Sequence, residues 1–361
     1  MKLLAAFGTR PEAIKMCPVV HALRARGCEV IVCLTGQHKE MLSDVMDSFG
    51  IDADYNLTVM QVGQTLFHLN REILSGMEEI LSKEKPDVVL VHGDTTTTFV
   101  SAISAFYMRI PVAHVEAGLR TGNIYSPYPE EFNRRAVSIV TEYNFAPTFE
   151  AKQNLLKEGV SEEKIFVTGN TEIDALKTTV RSDYQNPLID WAKGSRLVLM
   201  TAHRRENLGA PLESAFRAIR RVVEETPDVK LLYPMHLNPK VREAAQVLDG
   251  CDRIKLTDPL GVLDFHNVLA RCYLALTDSG GIQEDAPALD KPVLVLRDTT
   301  ERPEGIATGA IKLIGTQEEN VYTEFKQLLD DNAEYERMAK AENPYGDGFA
   351  SERIADALLK L

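Results

Sequence analysis

A single stretch, VVLVHGDTTTTFVSAISAFYMRIPVAHVEAGLR (Val88 to Arg120), constrains the fold of this chain more than any other. Its two apolar runs, VVLV and VAHV, are each short enough for one buried strand, and each stops at a carboxylate: Asp94 after His-Gly, Glu116 before Ala-Gly. Between them, Thr95 to Met108 predicts a crossover helix, because the threonines offer hydroxyls for an N-terminal cap and the rest is apolar at helical spacing. Strand, helix and strand make a βαβ unit. If its strands are parallel neighbours, both carboxylates stand at the C-terminal edge of one sheet, where open α/β sheets bind ligands. A third acid, Glu130 or Glu131, follows in SPYPEEFNRR, on the first turn of a helix opened by Pro129. Three carboxylates so placed predict a site that moves protons.

The same alternation runs from Lys2 to about Asn170, and a second series follows in RLVLMTAHRREN, VKLLYPMHLNP, RIKLTDPL, YLALTDSGG, KPVLVLRDTTERPEG and AIKLIG. A chain of 361 residues is long for one domain. The expectation is an α/β fold of two Rossmann-like, doubly wound domains facing a cleft, residues 1–180 and 181–361. RSDYQNPLIDWAKGS (Arg181 to Ser195), polar and carrying Pro187 and Gly194, reads as the linker between them. The last helical run, about residues 351–361, can return to pack on the first domain, which periodicity alone does not decide.

Lysine and arginine number 40 against 53 acids, a net charge of −13, which sets aside a general nucleic-acid binder. It does not set aside a small anion, since salt screens the global field over roughly 8 Å and a few arginines in a cleft decide the affinity. No apolar run reaches membrane-spanning length, so membrane insertion is not expected. MKLLAAF reads as a first strand rather than a signal peptide, because Thr-Arg-Pro-Glu cuts its apolar run. Five cysteines without C-x-x-C spacing read as reduced thiols of a cytoplasmic protein.

Three further motifs follow predicted strands. In FGTRPEAIKM, Arg10 and Lys15 lie at a helix start and read equally well as an anion site or as solvated charges on a tight turn. In TDSGGIQED, Ser279, Gly280 and Gly281 open a helix whose N–H groups can approach a diphosphate, with Asp285 one turn on to accept from ribose hydroxyls and Glu284 competing for that role. In TAHRREN, His203 beside Arg204 and Arg205 suits developing phosphate charge, as does Arg302 in DTTERPEG. His92 and His114 fall within apolar strands and read as buried support. Asp52 and Asp54 read as a solvated loop. No metal-ligand spacing and no G-x-G-x-x-G occurs, so neither a metal nor a nicotinamide cofactor is expected.

FGTRPEAIKM, VLVHGDTTTT, HVEAGLRTG, YSPYPEE, FVTGN, TAHRREN, YPMHLNP, LTDSGGIQE, PVLVLRDTTERPEG and NPYGDG together resemble the non-hydrolysing UDP-N-acetylglucosamine 2-epimerases of bacteria over nearly the full length. The resemblance implies a glycosyltransferase-B fold, a homodimer, and no cofactor. It implies interconversion of UDP-N-acetylglucosamine and UDP-N-acetylmannosamine through anti elimination of UDP and re-addition. In those terms Asp94, Glu116 and Glu130 handle protons and His203 supports the leaving diphosphate. Arg10, Lys15, Ser279, Gly280, Gly281, Asp285 and Arg302 contact the nucleotide sugar, with Phe265 near the uracil. Gln37, Gln64, Glu130, Arg204 and His236 match an effector site for a second UDP-N-acetylglucosamine, but Glu40 and Gly63 depart from its pattern, and weak dependence on that effector is expected. Asp285 departs as well, standing where relatives carry glutamate. A UDP-sugar glycosyltransferase of the same fold, a silent nucleotide-sugar-binding regulator and a hydrolysing epimerase remain the alternatives. Neighbouring carboxylates should also repel, raising the pKa of at least one.

Overall fold

The apolar runs form two parallel sheets in the computed structural model, which describes residues 1–36, 39–59, 64–300 and 302–360, of 39–41 the backbone alone. The first holds β1 (Lys2–Phe7), β2 (Glu29–Leu34), β3 (Tyr55–Asn56), β4 (Val88–His92), β5 (Val112–Val115), β6 (Tyr143–Ala146) and β7 (Ile165–Val167), in the order β3-β2-β1-β4-β5-β6-β7. The second holds β8 (Arg196–Thr201), β9 (Val229–Pro234), β10 (Ile254–Thr257), β11 (Leu274–Thr277), β12 (Val293–Val295) and β13 (Ile311–Leu313), in the order β10-β9-β8-β11-β12-β13. A parallel sheet is covered on both faces by its crossover helices, which is why its strands read as unbroken apolar runs. β4 illustrates this, with all five residues buried. The predicted βαβ unit is present: β4 and β5 pair in parallel register from Val89↔Val112 to His92↔Val115.

Of the helices around the first sheet, α1 spans Arg10–Ala25, α2 Lys39–Phe49, α3 Leu66–Glu84, α4 Thr96–Tyr107 and α5 Glu130–Val140. Thr95 caps α4 by accepting from the Thr98 N–H, so the threonine run does start the helix. Leu4, Ala6, Ile73, Met77, Val89, Val91 and Ala102 are among the buried residues joining the first sheet to α3 and α4. In the second sheet Val198, Met200, Leu231, Tyr233, Leu276 and Phe216 form the equivalent core.

The chain divides into two compact units, Met1–Thr178 with Tyr345–Leu361, and Thr179–Pro344. In the first, the closing helix Ala350–Leu359 buries Ile354, Ala355 and Leu358, packs on α1, and has its N-terminal N–H groups of Ala350 and Ser351 accepted by Asp174 at 3.2 and 2.6 Å. The stretch read as a linker is folded into the second unit. Asn186 caps a helix at Pro187–Ala192, Tyr184 and Asn186 donate to Asp264, and Ala192 and Trp191 join the core. Polarity and a proline at a helix start misled that reading, because Pro at the first helical position continues the chain into a helix.

Each sheet reverses its strand order once, between β1 and β4 in the first and between β8 and β11 in the second. Doubly wound sheets bind ligands outside the C-terminal strand ends at such points. FGTRPE and HGDTT leave β1 and β4; TAHRREN and TDSGG leave β8 and β11.

Candidate active site

In the first unit the loops leaving β1 and β4 are tied together by Glu12, a carboxylate the sequence reading did not single out. One of its oxygens accepts the N–H groups of Gly8 and Thr9 at 2.9 and 2.7 Å, and the other accepts the hydroxyls of Thr95 and Thr98. Burial pushes the Glu12 carboxyl above its ordinary value while these donors oppose the shift. Thr9 and Glu12 form a capping box at the start of α1. An anion arriving at this helix would therefore meet the side chains of Arg10 and Lys15, the N–H groups of Gly8 and Thr9 being already taken.

Glu116 follows β5 and is buried in a left-handed backbone conformation, φ 63°. Lys15 of α1 makes a short ion pair with one oxygen and lies 3.7 Å from Glu172. Arg134 of α5 donates to the other Glu116 oxygen at 3.1 Å, to the Glu116 carbonyl at 2.6 Å and to Asp94 at 2.6 Å. The neighbouring Asn133 donates to the Asp94 carbonyl at 2.9 Å. His92, buried at the end of β4, brings Nε2 to 3.7 Å from Glu116, and neither of its ring nitrogens has a hydrogen-bond partner among the described residues. Burial alone would push the Glu116 carboxyl up, yet Lys15, His92 and Arg134 outweigh it and hold it well below the usual carboxylate range. Repulsion among the acids, which the sequence led us to expect, is overridden at Glu116 because two cations are interleaved with them. Burial also pushes His92 down to about 4 and His114, which bonds the Gly93 carbonyl, down to about 3, so both rings are neutral at pH 7.

Glu130 and Glu131 have different surroundings. Glu131 accepts the N–H groups of Thr121 and Gly122 and so fastens the preceding loop. Glu130 has a buried oxygen with no hydrogen-bond partner among the described residues and lines a cavity of about 370 Å³ together with Asp94. Thr9, Thr35, Thr65, Thr95, Thr96 and Asn133 also line it beside Leu66, Leu69 and Pro129, a mixed wall whose polar groups suit the hydroxyl and amide groups of a sugar. Gln64 opens on the same cavity. Gln37 and Gly63 lie outside the described residues, as does the side chain of Glu40.

In the second unit the organising group is Asp278, fully buried after β11. It accepts the N–H groups of His203 and Arg204, both at 2.8 Å, and its other oxygen lies 3.5 Å from His203 Nδ1. His203 stacks on His236 with ring centroids 5.3 Å apart. Burial pushes the His203 imidazole below its ordinary value, Asp278 pulling the other way. Ser279 occupies the position before the helix Gly280–Ala288, and a Cβ placed on Gly281 would meet no atom of the described residues within 4 Å. Glu284 is ion-paired with Arg302, and Asp285 beside it is buried. Phe265 is half-buried on the helix Val262–Arg271. Thus Arg10, Lys15, Gln64, Asp94, Glu116 and Glu130 belong to the first unit, and His203, Arg204, His236, Phe265, Ser279 to Gly281, Asp285 and Arg302 to the second.

Sequence reasoning missed Glu12, Asn133, Arg134 and Asp278. Only Glu12 left a readable trace, the Thr-x-x-Glu spacing of a capping box.

The sequence model of the UDP-N-acetylglucosamine 2-epimerase family matches residues 21–359. A UDP-N-acetylglucosamine 2-epimerase of Bacillus subtilis (strain 168) is 55% identical over 361 residues, covering 99% of this chain and 95% of its own length. The crystal structure of UDP-GlcNAc 2-epimerase from Neisseria meningitidis bound to UDP-GlcNAc is 45% identical, with a TM-score of 0.89 and full coverage, 100%, of both chains. A co-structure of S. aureus MnaA with UDP is 50% identical, with a TM-score of 0.90 over 99% of this chain and 95% of that one.

Proposed function

The chain belongs to the UDP-N-acetylglucosamine 2-epimerase family, and from that premise we propose that it inverts C2 of the nucleotide sugar by anti elimination and re-addition of UDP. A carboxylate takes the C2 proton, the C1–O bond breaks with its electron pair leaving on UDP, and a C1=C2 bond forms. Return of a UDP oxygen to C1 and of a proton to the other face of C2 gives UDP-N-acetylmannosamine. The C2 proton is not acidic in its own right, so its removal has to be coupled to loss of the anomeric diphosphate. That coupling needs a proton acceptor and a donor on opposite faces of the sugar.

The observation that carries this reading is that Asp94, after β4, and Glu130, at the start of α5, line one cavity, while Arg134 ties Glu116, after β5, to Asp94. Glu116, held ionised, suits the role of base, and His203 backed by Asp278 suits support of the leaving diphosphate. Ser279, Gly280 and Gly281 suit the diphosphate itself, as does Arg302. The Neisseria relative bound to UDP-GlcNAc and the S. aureus relative bound to UDP support the same ligands here. We place the enzyme in the cytoplasm as a homodimer, its product serving cell-surface polysaccharide synthesis. A second copy would cover the exposed Phe106, Tyr107, Met108 and Ile139 of the α4–α5 face. No helix among the described residues is long and apolar enough to cross a membrane.

The test is incubation of UDP-N-acetylglucosamine with wild type, D94N, E116Q, E130Q and H203A, following UDP-N-acetylmannosamine. Each variant should lose about 10²-fold or more in turnover. Near-wild-type activity in all three carboxylate variants would refute the assignment.

A further inference from the structure

Arg134 and Arg135 stand side by side on α5, yet they face opposite ways. Arg135 is exposed and reaches Glu158 at 3.2 Å, an ordinary surface pair. Arg134 is only 6% exposed and spends its guanidinium on three acceptors: the Glu116 carbonyl, the Glu116 carboxylate and the Asp94 carboxylate. A buried cation is tolerated only where acceptors surround it. Here the acceptors are the two acids to which proton transfer has been assigned.

Two details go beyond charge balance. A single nitrogen, Nη2, serves both carboxylates, so the spacing between Asp94 and Glu116 is set by one atom. The other, Nη1, holds the carbonyl of Glu116, whose φ of 63° is a backbone conformation that any residue with a Cβ resists. Strain at such a position persists only where its surroundings fix it. A planar fork can bind a carbonyl and two carboxylates at once, whereas an ammonium acts as a point charge. Asn133, one residue earlier, holds the Asp94 carbonyl, so consecutive residues of α5 fix both acids while Glu130 at its start faces the cavity.

We propose that Arg134 is a positioning residue of the epimerisation site: its guanidinium locks Glu116 in the left-handed conformation and fixes the Asp94 and Glu116 carboxylates relative to each other. This rests on the reading that those two acids move the protons. Arg134 does not line the cavity and acts on substrate through them.

The experiment compares kcat, KM and the pH profile of kcat/KM for wild type, R134K and R134Q, with D94N and E116Q alongside. Glu116 is faced by Lys15 from α1, His92 from β4, Asp94 after β4 and Arg134 from α5, and Glu172 lies against Lys15. R134K keeps the charge and loses the fork, so kcat should fall about 10²-fold, with KM changed less than about threefold and the acid limb in place. R134Q also removes a cation that favours the ionised acid, so its acid limb should move to higher pH. A limb that stays put in R134Q would leave Arg134 a purely structural role and overturn the proposal. R134K with wild-type kcat would overturn it as well, and so would R134K that fails to fold, since the guanidinium would then hold the domain rather than the site. If D94N and E116Q are themselves active, it is the underlying assignment of the acids that fails.

Discussion

Replacing Glu116 by glutamine keeps the side chain's size and removes the charge that Lys15 and Arg134 share. Breaking a buried ion pair from one side costs about 3–5 kcal/mol, because the remaining charge stays in a medium that solvates it poorly. For a domain of this size that is roughly 10 °C in Tm. The pH dependence has a definite sign. Burial raises the Glu116 carboxyl, but Lys15, His92 and Arg134 outweigh it, so its folded pKa lies below the unfolded one. Such a group contributes stability that is present above the unfolded value, about 4.3, and is lost as the pH falls through the folded value. E116Q lacks that contribution at every pH. The Tm gap between wild type and E116Q should be full at pH 7 and narrow as the pH falls below about 4.3, while turnover is down about 10²-fold throughout. Scanning calorimetry from pH 7 to acid, with a product assay at neutral pH, measures both. Equal Tm values at pH 7, or a gap that widens in acid, would refute the view of Glu116 as an ionised, doubly paired group.

D278N keeps one oxygen for the His203 and Arg204 N–H groups but loses the charge and the second oxygen near His203 Nδ1, and should cost about tenfold or more in kcat, measured by steady-state assay; an unchanged kcat would mean His203 needs no charged anchor. In G281A the new methyl meets no atom of the described residues within 4 Å, so Tm should hold while KM rises about tenfold or more, loss arising only where a diphosphate approaches the helix start. D174A deletes the cap of the helix Ala350–Leu359, about 1–2 kcal/mol, and should speed amide hydrogen exchange there before it does so in β4 or β5.

The sheets were legible because buried parallel strands leave unbroken apolar runs, and the motif loops because they carry Gly, Thr, His and acidic residues where a strand should simply turn; that they stand at the two switch points comes from the strand order. The helix after Asp94 was bounded to within a residue by its threonine cap and apolar spacing. What was not legible depends on partners distant in sequence. Arg134 looks like half of a solvated Arg-Arg pair until α5 is folded over the ends of β4 and β5. Asp278 reads as part of a glycine turn until β8 lies beside β11 and presents the N–H groups of His203 and Arg204. Periodicity also gives the closing helix an apolar face without saying that α1 receives it. The acids of the first unit were legible by residue type, but the ionised state of Glu116 was not, since the Lys15 and Arg134 that enforce it are distant in sequence.

Incubating the enzyme with UDP-N-acetylglucosamine in D2O, without added nicotinamide, and reading C2 by NMR tests the central claim most directly. Exchange of the abstracted proton with solvent should place deuterium at C2 of both epimers, and E116Q should slow its appearance in both. UDP-N-acetylmannosamine that forms with all of its protium retained at C2, or that forms only when NAD is supplied, would contradict proton removal by the carboxylates of the first unit.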